Sequence, residues 1–372
     1  MDLSDQDAAL RRLFGGVYRG RRVLVTGHTG FKGSWLALWL QQMGARVCGL
    51  ALPAPGLLNH ARLLRLPVDE ALIDLRDAAL VRMAVQRFQP EVVFHLAAQP
   101  LVRRSYREPL ATFDVNVMGL VHLLEAVRAT PSVRAVVNAT TDKCYDNRGD
   151  GRPFRETDRL GGHDPYSASK ACAEIVCASY RASFLSNDDG RGHPVGLATA
   201  RAGNVVGGGD WGEDRLIPDL VRAAVAGQPT RIRQPGAVRP WQHVLEPLAG
   251  YLMLGQQLLQ DPAGAAEAWN FGPPPEAHQP VQQVVDAFAA AWPAVRYQPD
   301  GDAHPHEAPQ LHLDCRKAAQ RLHWRPVWDL QTTLQRSAHW YRRQHEQGAV
   351  SSHEDLHRYA QDARLHGLAW AA

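Results

Sequence analysis

Short apolar runs alternate with amphipathic stretches over the first 200 residues. The apolar runs predict strands at 22–25, 46–50, 71–74, 91–96, 133–140 and 195–200. Helices are predicted between them, the longest at about 109–129 and 165–184. Strands that are apolar throughout are typical of parallel sheets covered on both faces. The alternation therefore predicts an α/β fold with a doubly wound parallel sheet.

The sequence changes character from about residue 203, where proline, glycine and tryptophan become more frequent. Helices near 214–226 and 245–260 are predicted, with strands near 231–233 and 269–272. The last of these strands is expected to return to the sheet. Small helices, loops and an amphipathic tail are expected beyond it. We divide the chain into a sheet domain, 1–202, with a returning segment near 243–272, and a smaller mixed α/β lobe, 203–372, interleaved with it.

Three glycines directly follow the first predicted strand. Gly27, Gly30 and Gly33 precede an apolar helical pattern that includes Trp35. In such a turn backbone amides can approach a pyrophosphate closely, and the helix N-terminus favours its negative charge. The spacing is G-x-x-G-x-x-G, and its place between strand and helix predicts a dinucleotide site in a Rossmann-like domain rather than a simple chain reversal.

Composition limits the function classes. The chain has 372 residues, 45% of them hydrophobic and 21% charged, with a net charge of +3, which is typical of a soluble globular protein and predicts no nucleic-acid or membrane partner. An acidic, polar N-terminus and the absence of an apolar run of about 18 residues predict neither a signal peptide nor a membrane span. Five cysteines without a C-x-x-C pair predict free thiols in a reducing, cytoplasmic setting.

Tyr166 and Lys170 lie four residues apart on one predicted helix face. An ammonium beside a phenol lowers the phenol's pKa from about 10 toward neutral pH. Tyr166 is therefore a candidate acid/base for a substrate hydroxyl. Thr141 ends the fifth predicted strand, where its hydroxyl would share the same substrate oxygen.

Together these features resemble the extended short-chain dehydrogenase/reductase family over about the first 275 residues. Further blocks are similar to the CDP-glucose 4,6-dehydratases of that family, at 28–35, 141–147, 164–167, 201–211, 239–244 and 306–308. The resemblance implies that bound NAD oxidises C4 of CDP-glucose, that water leaves from C5–C6, and that the hydride returns to C6. It also implies a homodimer formed through the helices at 109–129 and 165–185.

The resemblance also assigns site residues. The catalytic set is Thr141, Asp142, Lys143, Tyr166 and Lys170. The cofactor set is Gly27, Thr29, Gly30, Phe31, Lys32, Gly33, Asp74, Leu75, Leu96, Ala97, Ala98, Tyr166 and Lys170. The substrate set is Gln99, Asn204, Arg215, Arg231 and Arg239. No metal is expected, because His304-Pro305-His306-Glu307 reads as a loop.

The pair Asp142-Lys143 stands where related dehydratases carry Asp-Glu. Asp142 is the candidate acid for the departing O6, and a buried, apolar setting would favour its protonated form. Lys143 can be the base for C5 only if its pKa is depressed. The alternative interpretation of Lys143 is a salt-bridged lysine at a strand end.

Three questions stay open at this level. No carboxylate follows the second strand at 51–55 to bind an adenine ribose, so NADP remains an alternative to NAD. A different nucleobase or a nucleotide-sugar 4-epimerase remains an alternative reaction. A non-catalytic NAD-binding regulator is the alternative from another class. His95, Trp35 and Trp39 are expected to be packed core residues.

Overall fold

The computed structural model describes residues 8–56, 58–185, 193–300 and 311–372. The strands are β1 Arg22–Thr26, β2 Arg46–Ala51, β3 Asp69–Leu72, β4 Val92–His95, β5 Ala135–Ala139, β6 Gly196–Ala202, β7 Val205–Val206, β8 Thr230–Ile232, β9 Val238–Pro240, β10 Gln242–His243, β11 Ala268–Phe271, β12 His278–Pro280 and β13 Tyr297–Pro299. The α-helices are α1 Phe31–Gln42, α2 His60–Leu64, α3 Ala78–Phe88, α4 Val102–Arg107, α5 Pro109–Phe113, α6 Gly119–Arg128, α7 Pro165–Tyr180, α8 Leu216–Val225, α9 Leu245–Gln260, α10 Pro262–Ala265, α11 Val281–Ala291, α12 Arg316–Arg321, α13 Leu330–Gln347 and α14 Ser352–Leu365.

A seven-stranded parallel sheet forms the centre of the molecule, in the order β3-β2-β1-β4-β5-β6-β11. The chain winds outward in both directions from β1, with helices on both faces. This confirms the predicted doubly wound α/β fold, and β11 confirms the predicted returning strand. Three two-stranded sheets, β7 with β10, β8 with β13 and β9 with β12, lie outside it.

The position of the third strand was predicted wrongly. It spans Asp69–Leu72 rather than 71–74, and it lies at the edge of the sheet. An edge strand faces water along one side and carries exposed polar side chains. Backbone hydrogen bonds to β2 hold this strand in place. The strand therefore does not coincide with the apolar run that was used to predict it.

The predicted helix at 109–129 is confirmed as the continuous helical run Pro109–Arg128, which contains a wider turn at its centre. Between α5 and α6 the backbone forms a π-helical turn, Asp114–Met118. Asn116, within this turn, is buried and exchanges hydrogen bonds with the backbone of Gln99, at 2.8 and 3.1 Å. Its amide also donates to Ser169 Oγ at 2.9 Å. Such turns occur frequently beside functional sites, and this one ties β4's trailing loop to α7.

The continuous run Pro109–Arg128 is long and apolar enough to cross a membrane, and it is the one such run among the described helices. Only 44% of its most apolar window is buried within the chain. A core helix of a globular protein satisfies the same criterion, so the finding has little weight for a membrane span. It does show an apolar helix with much of its surface uncovered.

The C-terminal region is more helical than predicted. Instead of small helices and loops it contains α13, with 18 residues, and α14, with 14. Tyr359 and Trp370 pack on Trp39 of α1, with ring centroids 5.7 and 5.8 Å apart. One hydrophobic cluster therefore includes residues from both predicted domains, and the boundary at 202/203 stays a prediction.

Several local predictions are confirmed. Trp35 and Trp39 are fully buried, as expected of core residues. His95 is buried at the end of β4, where its Nδ1 lies 2.7 Å from Thr26 Oγ1. All five cysteines are free.

Candidate active site

A large cleft opens at the carboxyl edge of the sheet, where ligands bind in doubly wound folds. It is lined by the loops after β1, β2, β4, β5 and β6 and by segments around β8 and β9. Its volume is about 2080 Å³, well above the 300–1,000 Å³ typical of a pocket for one ligand. The cleft can therefore hold two large ligands together. Every predicted site residue lies on its wall.

The glycine turn between β1 and α1 has no room for side chains. Gly27 has φ +74°, and a Cβ there would lie 2.8 Å from the Ala97 amide nitrogen. A Cβ on Gly33 would lie 2.0 Å from the Gly27 carbonyl oxygen. These contacts bring α1's N-terminus against the loop after β4. The turn thus leaves backbone amides facing the cleft, as a pyrophosphate requires.

Lys32, on the first turn of α1, contributes a cation to this end of the cleft. Its Nζ lies 3.4 Å from Tyr251 Oη. Burial, together with the neighbouring cations Arg215, Lys170 and Lys143, lowers the pKa of Lys32 to about 8, and the charge of Asp142 opposes this effect. So many cations close together favour binding of an anion. Tyr251 was not predicted from the sequence, because it lies on α9, more than 200 residues away.

The outer end of this region lies beside β2 and β3. Thr29 Oγ1 donates to the Leu52 carbonyl at 3.0 Å, which closes the glycine turn onto the loop after β2. Asp74 is held by Arg76, with Oδ2 2.7 and 3.0 Å from the guanidinium. This hydrogen bond lowers the pKa of Asp74. The loop itself supplies no carboxylate, so the choice between NAD and NADP stays open here.

Tyr166 and Lys170 lie on α7 facing the end of β5. Burial raises the pKa of Tyr166; the positive charge of Lys143 and a hydrogen bond with Thr141 oppose that effect. Lys170 Nζ donates to the Ala139 carbonyl at 3.1 Å, and burial lowers its pKa to about 8. The predicted net lowering of the Tyr166 pKa is therefore not observed, because burial outweighs the neighbouring cations, of which Lys143 has the largest effect.

Asp142 and Lys143 form an ion pair, with Oδ1 and Nζ 3.5 Å apart. Asp142 is buried, but its neighbours are polar rather than apolar, since Thr141 Oγ1 donates to Oδ1 at 3.0 Å. Gly203 packs directly against Asp142, since a Cβ at this position would lie only 2.8 Å from Asp142 Oδ2. The charge of Asp142 raises the pKa of Lys143. The depressed pKa that a base lysine requires is not observed in this ion pair, and the assignment of Lys143 as the base for C5 stays a prediction.

The predicted substrate residues also line the cleft. Arg215 Nη1 binds both oxygens of Asp210, at 2.9 and 3.0 Å. Gln99 uses its side chain within the wall, donating to Thr112 Oγ1 at 2.9 Å and accepting from the Leu101 amide at 2.6 Å. Asn204, Arg231 and Arg239 line the wall. Their assignment to substrate stays a prediction.

Two buried residues behind the site were missed, Glu174 and Arg201, whose side chains form an ion pair at 2.8 Å. Glu174 continues the i, i+4 spacing of Tyr166 and Lys170 along α7, and this spacing was the signal that could have identified it. Arg201 gave no comparable local signal. The segment His304–Glu307 lies outside the described residues. Within the described ranges, no three potential metal ligands lie together.

Comparison with known proteins agrees with this geometry. Over 328 residues, the chain is 50% identical to a CDP-glucose 4,6-dehydratase of Salmonella typhimurium, covering 87% of this chain and 91% of that protein. It is 30% identical to a dTDP-glucose 4,6-dehydratase of Xanthomonas campestris pv. campestris, covering 86% and 92%.

A similar fold occurs in the crystal structure of DesIV, a dTDP-glucose 4,6-dehydratase from Streptomyces venezuelae with NAD and TYD bound. The TM-score is 0.70 at 26% identity, covering 86% of this chain and 97% of that one. The sequence profile of the family described as GDP-mannose 4,6 dehydratase matches residues 24–262. The predicted relationship to nucleotide-sugar dehydratases is thereby confirmed, and the chain belongs to the GDP-mannose 4,6-dehydratase family.

Proposed function

We propose that this chain converts CDP-D-glucose into CDP-4-dehydro-6-deoxy-D-glucose and water. The observation that carries the proposal is the Asp142–Lys143 pair beside Tyr166. Elimination of water needs an acid for O6 and a base for C5, and this pair offers one of each. A 4-epimerase needs neither. The 50% identity to the Salmonella CDP-glucose enzyme, against 30% for the Xanthomonas dTDP-glucose enzyme, supports cytidine as the nucleobase.

NAD fits one half of the cleft. The glycine turn has no space for side chains, and the amides at α1's N-terminus suit its pyrophosphate. Lys32, with its pKa near 8, is charged at neutral pH and supplements those amides. When bound, NAD accepts the C4 hydride of the sugar and later returns it to C6. The NAD in the related DesIV structure supports this choice over NADP.

Tyr166 takes the proton of the C4 hydroxyl in this proposal. Burial raises the pKa of this phenol, whereas Lys143 and the hydrogen bond with Thr141 lower it, so these two groups stabilise the phenolate that the step requires. Oxidation at C4 produces a ketone, which acidifies the proton at C5. In this proposal the acid and the base that act next come from the chain.

Asp142 and Lys143 then carry out the elimination. At rest the pair holds its proton on Lys143, whose pKa is raised. Transfer of that proton across the 3.5 Å contact leaves an amine on Lys143 and a carboxylic acid on Asp142. The amine removes the C5 proton while the acid protonates the departing O6. Lys143 afterwards returns its proton to C5.

The protons balance only if one more transfer occurs. O4 gives a proton to Tyr166, and O6 leaves with a proton from Asp142. After each turnover, therefore, one proton must pass from Tyr166 to Asp142. Thr141 hydrogen-bonds both groups, at 3.0 Å to Asp142 Oδ1. We assign this transfer to the Thr141 hydroxyl.

Replacing Thr141 with valine tests the transfer, because valine has the same shape without the hydroxyl. We expect kcat for dehydration to fall about 10²-fold, the lower range for loss of a positioned proton-transfer group. Thr141→Ser is the matched control and should stay within about fivefold of wild type, since it keeps a hydroxyl. Equal losses in the two variants, measured by steady-state kinetics, would show that the hydroxyl carries no proton.

Incubation of the purified chain with CDP-glucose in D2O tests the whole proposal. We expect mass spectrometry and NMR to show a product that has lost one water and gained deuterium at C5. UDP-glucose and dTDP-glucose are the matched alternatives. Faster loss of water from either substrate would contradict the proposed preference for cytidine. Inversion at C4 without loss of water would show that the chain is an epimerase. If none of the three nucleotide sugars is converted, the alternative of a non-catalytic NAD-binding regulator is favoured.

A homodimer is part of the proposal. Its support is the run Pro109–Arg128, only 44% of whose most apolar window is buried. Leu110, Met118 and, on the neighbouring helix α7, Ile175 expose 75%, 46% and 58% of their surface. Leu120 and Leu124, on the other face of α6, are fully buried core residues. We propose a cytoplasmic location as well, supported by the five free cysteines.

A further inference from the structure

Glu174 holds a buried carboxylate one helical turn beyond Lys170. The whole residue is only 2% exposed. Its Oε1 accepts from Thr140 Oγ1 at 2.5 Å, and its Oε2 accepts from Thr199 Oγ1 at 2.6 Å and from Arg201 Nη2 at 2.8 Å. These donors come from the end of β5 and from β6. One carboxylate thus ties α7 to two adjacent strands.

Arg201 extends this connection further across the sheet. Its Nη1 donates to Tyr145 Oη at 2.8 Å, and that hydroxyl donates to Asn270 Oδ1 on β11 at 2.7 Å. Arg201 is only 3% exposed. Burying two charges costs more free energy than their attraction usually returns, so such a pair is weak evidence of stabilisation alone. The high cost of burying Glu174 and Arg201 therefore favours a role for the pair in fixing the geometry of the site.

Glu174 and Lys170 bind consecutive residues of one strand end. Lys170 Nζ donates to the Ala139 carbonyl at 3.1 Å, and Glu174 accepts from Thr140. The next residues along the chain are Thr141, Asp142 and Lys143. The position of these three residues relative to α7 therefore depends on both contacts.

We propose that the Glu174–Arg201 pair is a positioning element, which aligns Thr141, Asp142 and Lys143 with Tyr166 and keeps Lys170 charged inside the site. This rests on the proposed dehydratase function. Neither residue lines the cleft, so both act through Thr140 and Lys170 rather than by touching substrate.

The charge of Glu174 supports its proposed role in keeping Lys170 charged. Burial lowers the pKa of Lys170 to about 8, and Glu174 is the largest influence in the other direction. The other titratable groups that interact with Lys170 are Cys177, Cys144, His95 and Lys32. A lysine with a pKa near 8 is charged below that pH and neutral above it. Removing the negative charge of Glu174 lowers this pKa further, so the charge is lost at a lower pH.

Glu174→Gln tests the proposal through the pH dependence of kcat for dehydration of CDP-glucose. We expect the alkaline decrease in rate to move about one unit lower, the smallest shift typical for loss of a neighbouring charge. The rate at pH 8 should fall about fivefold, because the charged fraction of Lys170 falls from about one half to about one tenth, with KM within about twofold. Lys32 also has a pKa near 8. In Glu174→Gln the pKa of Lys170 is the lower of the two, so the alkaline decrease begins with the loss of charge on Lys170.

Thr199→Val is the matched control. It removes one hydrogen bond to the same carboxylate and keeps the charge, so it should lower thermal stability without moving the alkaline limb. If Glu174→Gln does not fold, Glu174→Gln/Arg201→Met avoids the unpaired buried cation and should show the same shift. An unmoved limb in a folded variant, or an equal shift in Thr199→Val, overturns the proposal. A wild-type chain inactive on CDP-glucose would instead contradict the proposed function.

Discussion

Replacing Tyr166 with phenylalanine is expected to lower kcat for CDP-glucose dehydration about 10³-fold. The change removes one hydroxyl, the group that takes the proton from O4, and positioned acid–base groups typically contribute 10²–10⁴-fold. Because the ring stays, binding of NAD and CDP-glucose should change less than about threefold. Rapid mixing of enzyme, NAD and CDP-glucose should show that the first step, reduction of the nicotinamide, is slowed equally.

Tyr180→Phe is the matched control for this variant. Tyr180 lies at the end of the same helix and donates to Glu125 Oε1 at 2.8 Å, outside the cleft. Its loss should leave kcat within about twofold, as is usual for a substitution at the surface. If Tyr166→Phe keeps wild-type turnover, Tyr166 is not the group that takes the proton.

Replacing Lys143 with methionine is expected to stop the reaction after its first step. C4 oxidation needs Tyr166, whereas removal of the C5 proton needs the amine of Lys143. Overall dehydration should fall about 10³-fold, while reduced nicotinamide and a 4-ketosugar accumulate in a single turnover. Absorbance of the reduced nicotinamide, together with deuterium exchange at C5, measures the two steps separately.

Lys317→Met is the control for Lys143→Met. Lys317 forms an ion pair with Glu267 at 2.6 Å, away from the cleft, and its loss should leave both steps unchanged. Wild-type exchange at C5 in Lys143→Met would show that another group is the base. Slower reduction of the nicotinamide would instead show that Lys143 acts in the first step, by lowering the pKa of Tyr166.

The site was predicted in unequal parts. Gly27, Gly30 and Gly33 were found because close approach of the backbone requires glycine, and this requirement is visible in a short segment. Tyr166 and Lys170 were found because a helix brings residues four apart onto one face. By contrast, the pKa of Tyr166 was predicted wrongly, because burial raises it more than the neighbouring cations lower it. Asp142 raises the pKa of Lys143, a contact that the sequence left as one of two alternatives.

The sequence by itself determined the strand and helix order, the glycine turn and the Tyr166–Lys170 spacing, because each depends on a local periodicity or a local backbone requirement. The tertiary structure alone decided which charges lose water and which partners they meet. Glu174 meets Arg201 across α7 and β6, and Lys32 meets Tyr251 of α9. Such pairings depend on how distant segments cross the sheet, and ionisation follows from them.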